Sequence, residues 1–436
     1  MSLWLLIIRL VVPLFVLLAG GVYIAVSLAA TGILGLEFLV KVPQLTGNLM
    51  FKNLNSYTLL AIPLYIFMGE IMLHSGLSHG LFSGASKLTK VIPGSLLHTN
   101  ILSCAFFAAV SGSSLATAGT IGKIAYSEEK ERGYSRSMIG STIAAGGCLG
   151  ILIPPSIDMI IYCVIVRASV GRLFAAGLIP GILLALLFSL YVGFRTKQNP
   201  NIAEKTQKIS WKYFAGIPAA LKELWPLFFI MGIVFGGIYG GIFTPTEAAA
   251  VASVAALGIA ALNRKLSFTL LRNSALAALE TTAMILFIML GAQIFAISLS
   301  MLKVPAHLCA LVADLPIHPM IIWFFGIIPL YLVLGCFLDC VSMIVLTVPI
   351  IYPIVVGSFG FDPIMFGVVL VILIECSLLT PPVGMNIFVV HNVTGGRNIM
   401  ALFKAALPFV ICLLLMITVL TYFPQIALFL PSLLFD

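Results

Sequence analysis

Two stretches decide the fold: "LGILIPPSIDMIIY", residues 149–162, and "CSLLTPPVGMNIFV", residues 376–389. Each is an apolar run interrupted by Pro-Pro, at Pro154-Pro155 and at Pro381-Pro382. A proline inside a helix has no N–H to donate and clashes with the carbonyl one turn earlier, so each helix is expected to break there. Each break frees backbone carbonyls, at Leu152 and Ile153 in the first and at Leu378, Leu379 and Thr380 in the second. In lipid such groups must face protein or a wet cavity. One proline in a membrane helix is commonly just a kink. A Pro-Pro pair placed alike in both halves is far more specific.

The rest of the chain fits a membrane setting. Its 436 residues are 61% hydrophobic and only 9% charged, with a mean hydropathy of +1.17. Soluble domains average roughly 45–50% apolar and about 25% charged, so this chain cannot cover itself with polar surface. An all-α integral membrane protein is expected, with room for on the order of ten to twelve spanning helices of about 20 residues. Because the apolar runs are continuous, a β-barrel is excluded. The net charge of +8 collects in short loops, which is the orientation signal of a membrane protein. No basic stripe on a soluble module suggests nucleic acid. The eight cysteines lie almost wholly in apolar segments and read as small buried thiols. The first apolar stretch, Leu3 to Leu36, is too long for a signal peptide and lacks a small-residue cleavage site; it reads as one or two retained helices.

Basic punctuation sets the topology. Arg195, Lys197, Lys205, Lys208, Lys212 and Lys222 mark a cytoplasmic loop, and Arg264, Lys265 and Arg272 mark another. Lys87 and Lys90 on one side, and Lys123, Lys130, Arg132 and Arg136 on the other, belong to the same face. The apolar run between them, residues 91–122, would make about 48 Å of helix at about 1.5 Å per residue. Two crossings need about 60 Å, so a re-entrant hairpin is expected. Residues 321–357 form a second hairpin of similar length, opening outward.

The two halves are related. Gly69 and Gly291, Gly112 and Gly335, Pro154 and Pro381, and Pro180 and Pro408 recur in order at offsets of 222, 223, 227 and 228 residues. With opposite expected orientation, this is an inverted-topology repeat, the architecture of secondary transporters. The first repeat is placed at 50–195, with its hairpin at 91–122 and broken helix at 137–166. An interfacial arm along the cytoplasmic surface follows at 196–223, where Trp211, Tyr213 and Phe214 lie among lysines. A scaffold helix pair takes 224–262. The second repeat is placed at 275–430, with its hairpin at 321–357 and broken helix at 362–395.

The chemistry falls at the same landmarks. "AVSGSSLATAGTIG", residues 109–122, gathers Ser111, Ser113, Ser114 and Thr117 around Gly112. Hydroxyls and unpaired carbonyls at membrane depth make a hard-oxygen site for a small cation such as Na⁺. Small residues that merely let helices pack closely are the plainer alternative. Acidic residues inside apolar segments are functional candidates by default: Glu70, Asp158, Glu247, Glu280, Asp339 and Glu375. Asp339 ranks first, beside Gly335 at the second hairpin, while Glu247 after Thr246 looks like a first-turn helix acid. "GTIGK", residues 119–123, lacks the full phosphate-loop pattern, and neither a zinc-protease motif nor a nucleophile elbow is present. The reading is therefore not an enzyme; its work is driven by a gradient.

These motifs, together with "ERGYSRSMIGSTIAAGGCLGILIPPSIDMIIY" (131–162) and "GGIYGGIFTPTEAAAVA" (236–252), resemble the large, DctM-like membrane subunit of tripartite ATP-independent periplasmic (TRAP) transporters over nearly the whole chain. The resemblance implies an elevator-type secondary transporter in the bacterial inner membrane that is coupled to Na⁺ and carries organic acids. It also implies a small four-helix membrane subunit and a periplasmic substrate-binding protein as partners. Carried onto this chain, one Na⁺ site involves Ser111, Gly112, Ser113 and Ser114 with Ile153, Pro154, Pro155 and Ser156. The other involves Gly335 and Asp339 with Leu379, Thr380, Pro381, Pro382 and Gly384. Thr117, Asp158 and Asn386 are assigned to the substrate. Cys148 and Leu373 depart from the Thr and Asn common in the family. An autonomous ion-coupled carrier and a passive channel remain the rival readings.

Overall fold

The computed structural model describes residues 3–40, 56–204, 211–395 and 398–435. The described chain is helical throughout. The first apolar stretch forms two helices, α1 (Leu3–Ala19) and α2 (Ile24–Leu34). After Tyr57–Leu60, a short 3₁₀ turn, come α3 (Ala61–His74), α4 (Leu77–Thr89), α5 (Ser95–Ser111), α6 (Ser114–Glu131), α7 (Arg136–Gly147), α8 (Ile157–Val166) and α9 (Val170–Gln198). The middle of the chain holds α10 (Trp211–Tyr239) and α11 (Pro245–Leu262). Then follow α12 (Phe268–Met301), α13 (Val304–Asp314), α14 (Pro319–Ile322), α15 (Ile328–Leu334), α16 (Cys340–Tyr352), α17 (Pro363–Leu379), α18 (Met385–Thr394), α19 (Ile399–Tyr422) and α20 (Gln425–Phe435). Lys205 and Lys208, read above as loop markers, lie outside the described residues.

Seven described segments are long and apolar enough to cross a membrane, fewer than the ten to twelve that chain length allows. The difference is spent on short helices. The arms α5 and α6 are 17 and 18 residues long, about 26 Å each at about 1.5 Å per residue, against a hydrocarbon core of about 30 Å. They meet at Gly112 and Ser113. Their far ends also meet, where the Leu96 amide donates to the Tyr134 hydroxyl at 3.5 Å. This hairpin runs to Glu131, not to Gly122 as its sequence boundary had it. A helix carries charge freely on an exposed face, and Lys123, Lys130 and Glu131 occupy one. The second hairpin pairs α14 and α15 with α16, tied across its arms by Tyr331 donating to the Thr347 hydroxyl at 2.7 Å.

The expected arm at 196–223 is not a separate element. Helix α9 runs to Gln198 and Pro200–Ile202 is a 3₁₀ turn. Residues 211–223 are the opening turns of α10, a 29-residue helix that accommodates Pro218 and Pro226. Those turns are fastened to α4 by Tyr213 donating to the Leu88 carbonyl at 2.9 Å and by the Lys87–Glu223 ion pair at 2.5 Å.

Helices in lipid gain little from hydrophobicity alone, so close approach and polar contacts decide their packing. Helices α2, α3, α4, α10, α11 and α12 pack on one another as a contiguous group. Ser253 of α11 donates to the Leu64 carbonyl of α3 at 2.8 Å, and Tyr65 of α3 donates back to the Pro245 carbonyl at 3.1 Å. At α11's start, Thr244 and Glu247 form a reciprocal capping box, so Glu247 is a helix-capping acid. The second group centres on α17, where every residue from Met365 to Leu379 is buried. A helix apolar around its whole circumference belongs in an interior. Asp362 starts it by accepting from the Ile364 and Met365 amides at 2.8 and 3.0 Å. Tyr162 of α8 donates to the Pro363 carbonyl at 2.6 Å.

Candidate ion and substrate site

Both helix breaks form where the double prolines stand. Residues 148–156 leave the α-helical path between α7 and α8, and 380–384 do so between α17 and α18. Both Pro-Pro peptides are cis. Ser156 restarts the first helix by accepting from the Met159 amide at 3.3 Å. Gly384, with φ +58°, restarts the second without a side-chain cap. Their surroundings differ: residues 151–163 are buried without interruption, whereas Pro381 and Pro382 are exposed.

Each hairpin tip sits on the break of its own half. Gly112 holds φ +59°, and a Cβ there would stand 2.9 Å from the Pro155 carbonyl oxygen. From the other side, a Cβ on Gly150 would stand 2.8 Å from the Ser113 carbonyl oxygen. Backbone therefore lies directly on backbone. Within the tip, Ser111 and Thr117 share a hydroxyl–hydroxyl hydrogen bond at 2.8 Å. Thr117 donates to the Ser113 carbonyl at 2.7 Å, and Ser113 caps α6 by accepting from the Ala116 amide at 3.4 Å. The second tip does the same: Gly335 lies against the Ser377 side chain, and the Cys336 thiol faces the Pro381 carbonyl at 3.8 Å.

Asp339, ranked first among the acids from sequence, caps α16. Its carboxylate accepts from the Ser342 amide at 3.4 Å and from the Ser342 hydroxyl. It also borders a cavity of about 730 Å³ lined by Tyr23, Ile288, Phe337 and Leu338 among others. Thr380 donates to the Ser377 carbonyl at 3.0 Å, and Leu379 is buried. Ile153 turns its side chain toward Gly181 of α9, so only its backbone is available to an ion.

The contacts between the halves are crossed. Helix α18 of the second half packs along α6 of the first hairpin, and α16 of the second hairpin packs along α8 of the first half. At the first crossing, the Asn386 side-chain amide donates to the Ser114 hydroxyl at 2.7 Å. Ser114 in turn donates to Glu375 at 3.0 Å. Cys148 closes the group, 3.5 Å from the Asn386 amide and donating toward the Ala144 carbonyl at 3.5 Å. All four residues are buried. One oxygen each of Glu375 and Asn386 has no hydrogen-bond partner among the described residues. Buried polar oxygens without donors are costly unless something meets them. At the second crossing, buried Asp158 faces the Asp339 end of α16.

The residues assigned to the first tip are brought together there, with one exception of direction; at the second, Gly335 and Cys336 meet Ser377 and Pro381, while Asp339 turns to Ser342 and toward Asp158 and not to the Leu379–Gly384 break. Ser114, grouped with the first break from sequence, points its hydroxyl at the other half. Glu375 was one of six acidic candidates with no partner assigned, and Cys148 only a departure; the Ser114–Asn386–Glu375–Cys148 group was not legible. Its members lie up to 272 residues apart, and no local spacing announces them.

The similarities to known proteins agree with this geometry. Residues 11–426 match the family described as tripartite ATP-independent periplasmic transporter, DctM component. The "C4-dicarboxylate TRAP transporter large permease protein DctM" of Pseudomonas aeruginosa is 36% identical over 388 residues, covering 88% of each chain. The "Isethionate TRAP transporter permease protein DctMQ" of Oleidesulfovibrio alaskensis is 34% identical, covering 94% of this chain and 64% of its own length. Among solved structures, the Alcanivorax borkumensis YdaH transporter, described as having an unusual topology, superposes with a TM-score of 0.59 at 15% identity over 90% of each chain. At that identity the likeness concerns the fold. With two Pro-Pro breaks, two hairpin tips seated on them, and matched relatives named as transporter permeases, the chain belongs to the DctM family of TRAP transporter large permeases.

Proposed function

We propose that this permease takes up a small organic acid across the bacterial inner membrane, driven by Na⁺, receiving its cargo from a periplasmic binding protein and working beside a small four-helix membrane subunit. Na⁺ is assigned to the two hairpin tips, where hydroxyls and backbone carbonyls supply the hard oxygens it prefers. The organic anion is assigned to the space between the halves, near Thr117, Asp158 and Asn386. The named cargoes of the two relatives, a C4-dicarboxylate and isethionate, are both small organic anions.

The observation that carries this reading is the crossed pairing, in which Asn386 of one half holds Ser114 at the tip of the other. An ion that orders a tip then also orders the surface that the opposite half presents to substrate. Transport follows as an elevator: hairpins, broken helices, α9 and α19 slide as one unit against α2–α4 and α10–α12. The driving force suffices. Each net charge gains about 2.3 kcal/mol per 100 mV, so two support roughly 10³-fold accumulation.

The test is uptake into proteoliposomes containing both membrane subunits, with the binding protein and the Na⁺ gradient added or withheld. Uptake is expected only with both. Robust transport of free substrate by this chain alone marks an autonomous carrier. Flux indifferent to the gradient marks a channel.

A further inference from the structure

The first hairpin holds a second polar site, far from its tip. Glu129 is 16 residues beyond Ser113 along α6, about 24 Å at about 1.5 Å per residue. Its side chain is completely buried, at 0% exposure, and neither carboxylate oxygen has a hydrogen-bond donor among the described residues. Its polar neighbour is Asn100 of α5, also at 0% exposure. Asn100 donates through Nδ2 to the Thr142 hydroxyl of α7 at 3.0 Å. That hydroxyl spends its own hydrogen on the Met138 carbonyl at 2.8 Å. The amide of Asn100 is therefore fixed in direction, and its Oδ1 is left without a donor.

Arg132 acts on the Glu129 carboxylate at a distance, but the nearby cations have closer partners elsewhere. Arg132 pairs with Glu128 at 2.7 Å and with Glu204 at 3.5 Å. Lys130 lies over the Tyr126 ring at 5.8 Å. Lys87 pairs with Glu223 at 2.5 Å. Cys104 and Tyr134 also face the carboxylate. The other titratable groups on elements packed against α6 are His79 on α4, His98 on α5, Arg136 on α7, Cys148 at the first break and His391 on α18. An ionised carboxylate buried without a partner is expensive and draws in a proton or a metal cation.

We infer that Glu129, with Asn100 and Thr142, forms a monovalent-cation site, for H⁺ or Na⁺, that clamps the two arms of the first hairpin to α7 at the end opposite the tip. A cation there joins α5, α6 and α7 through one centre. Vacating it leaves a buried negative charge that loosens the base of the hairpin. The site is separate from both tips, so cation binding here and sodium binding there are separable by variant.

Difference infrared spectroscopy tests the site on the whole chain in lipid nanodiscs. Wild type and Glu129→Gln are titrated with pH in Na⁺-free choline buffer, then with Na⁺ at fixed pH. Wild type minus variant isolates the carboxyl band of Glu129 from those of other buried acids. The expected result is a protonated-carboxyl band, absent from Glu129→Gln, that disappears as the cation exchanges. Loss with rising pH and no response to Na⁺ identifies a proton site; loss on adding Na⁺ at fixed pH identifies sodium. Asn100→Asp adds a second carboxylate and is expected to move the wild-type midpoint by about tenfold in cation concentration, one pH unit in the proton case. Should Glu129→Gln fail to fold, that shift decides the matter. Identical spectra for wild type and Glu129→Gln, a band that neither cation moves, or an unshifted midpoint in Asn100→Asp overturns the inference.

Discussion

Replacing Gly112 by alanine isolates the contact between the first tip and its break. Gly112 sits at φ +59°, where a side chain costs about 1–2 kcal/mol. Its new Cβ would also stand 2.9 Å from the Pro155 carbonyl oxygen. Both partners are backbone, so neither swings aside, and overpacking of this kind costs about 1–3 kcal/mol. The seated tip is then disfavoured by about 2–5 kcal/mol, which converts to roughly 30-fold to 4,000-fold at about 1.4 kcal/mol per decade. Since Na⁺ is proposed to bind the seated tip, the apparent Na⁺ affinity for uptake in proteoliposomes should fall by that factor. Gly76→Ala is the control. It has a similar φ of +73° but no atoms within 4 Å of the added carbon. It should lower thermal stability and leave the sodium titration in place. A folded Gly112→Ala protein with the wild-type sodium titration would refute the assignment of an ion to this tip.

Three further outcomes follow from the same geometry. Ser114→Ala and Asn386→Ala should be non-additive in thermal unfolding by about 1–2 kcal/mol, because they share one hydrogen-bonded group; additive shifts would remove the link between the halves. Pro382→Ala should weaken the sodium dependence of uptake by restoring a helical path through the second break, and an unchanged titration would argue against an ion there. Cysteines at positions 87 and 130 should both react with an impermeant thiol reagent from the cytoplasmic side, since the two ends of the first hairpin adjoin. Labelling from opposite sides would mean a crossing helix instead.

The double prolines were legible because their effect is local. A ring without an N–H disrupts any helix regardless of what surrounds it, so breaks at Pro154-Pro155 and Pro381-Pro382 could be placed from the chain alone. The tip at Gly112 was legible for the same reason, small and hydroxyl residues in an otherwise apolar run. Charge was the poorer guide. Lys123 and Lys130 suggested a loop because a lone charge looks foreign to an apolar stretch, yet α6 carries them on its exposed side to its last turn. Lys222 and Glu223 likewise suggested a surface arm, although they lie within the unbroken helix α10.

Sequence alone determined that this is a helical membrane protein with two interrupted helices and two small-residue hairpins, since hydropathy and proline act over a few turns. Tertiary structure decided which half each polar group serves. Ser114 reaches Asn386 and Glu375 across more than 260 residues, and Glu129 meets Asn100 only because two helix arms fold back together. Such contacts depend on how rigid helices cross, and the identity of a residue carries no record of the face it will meet.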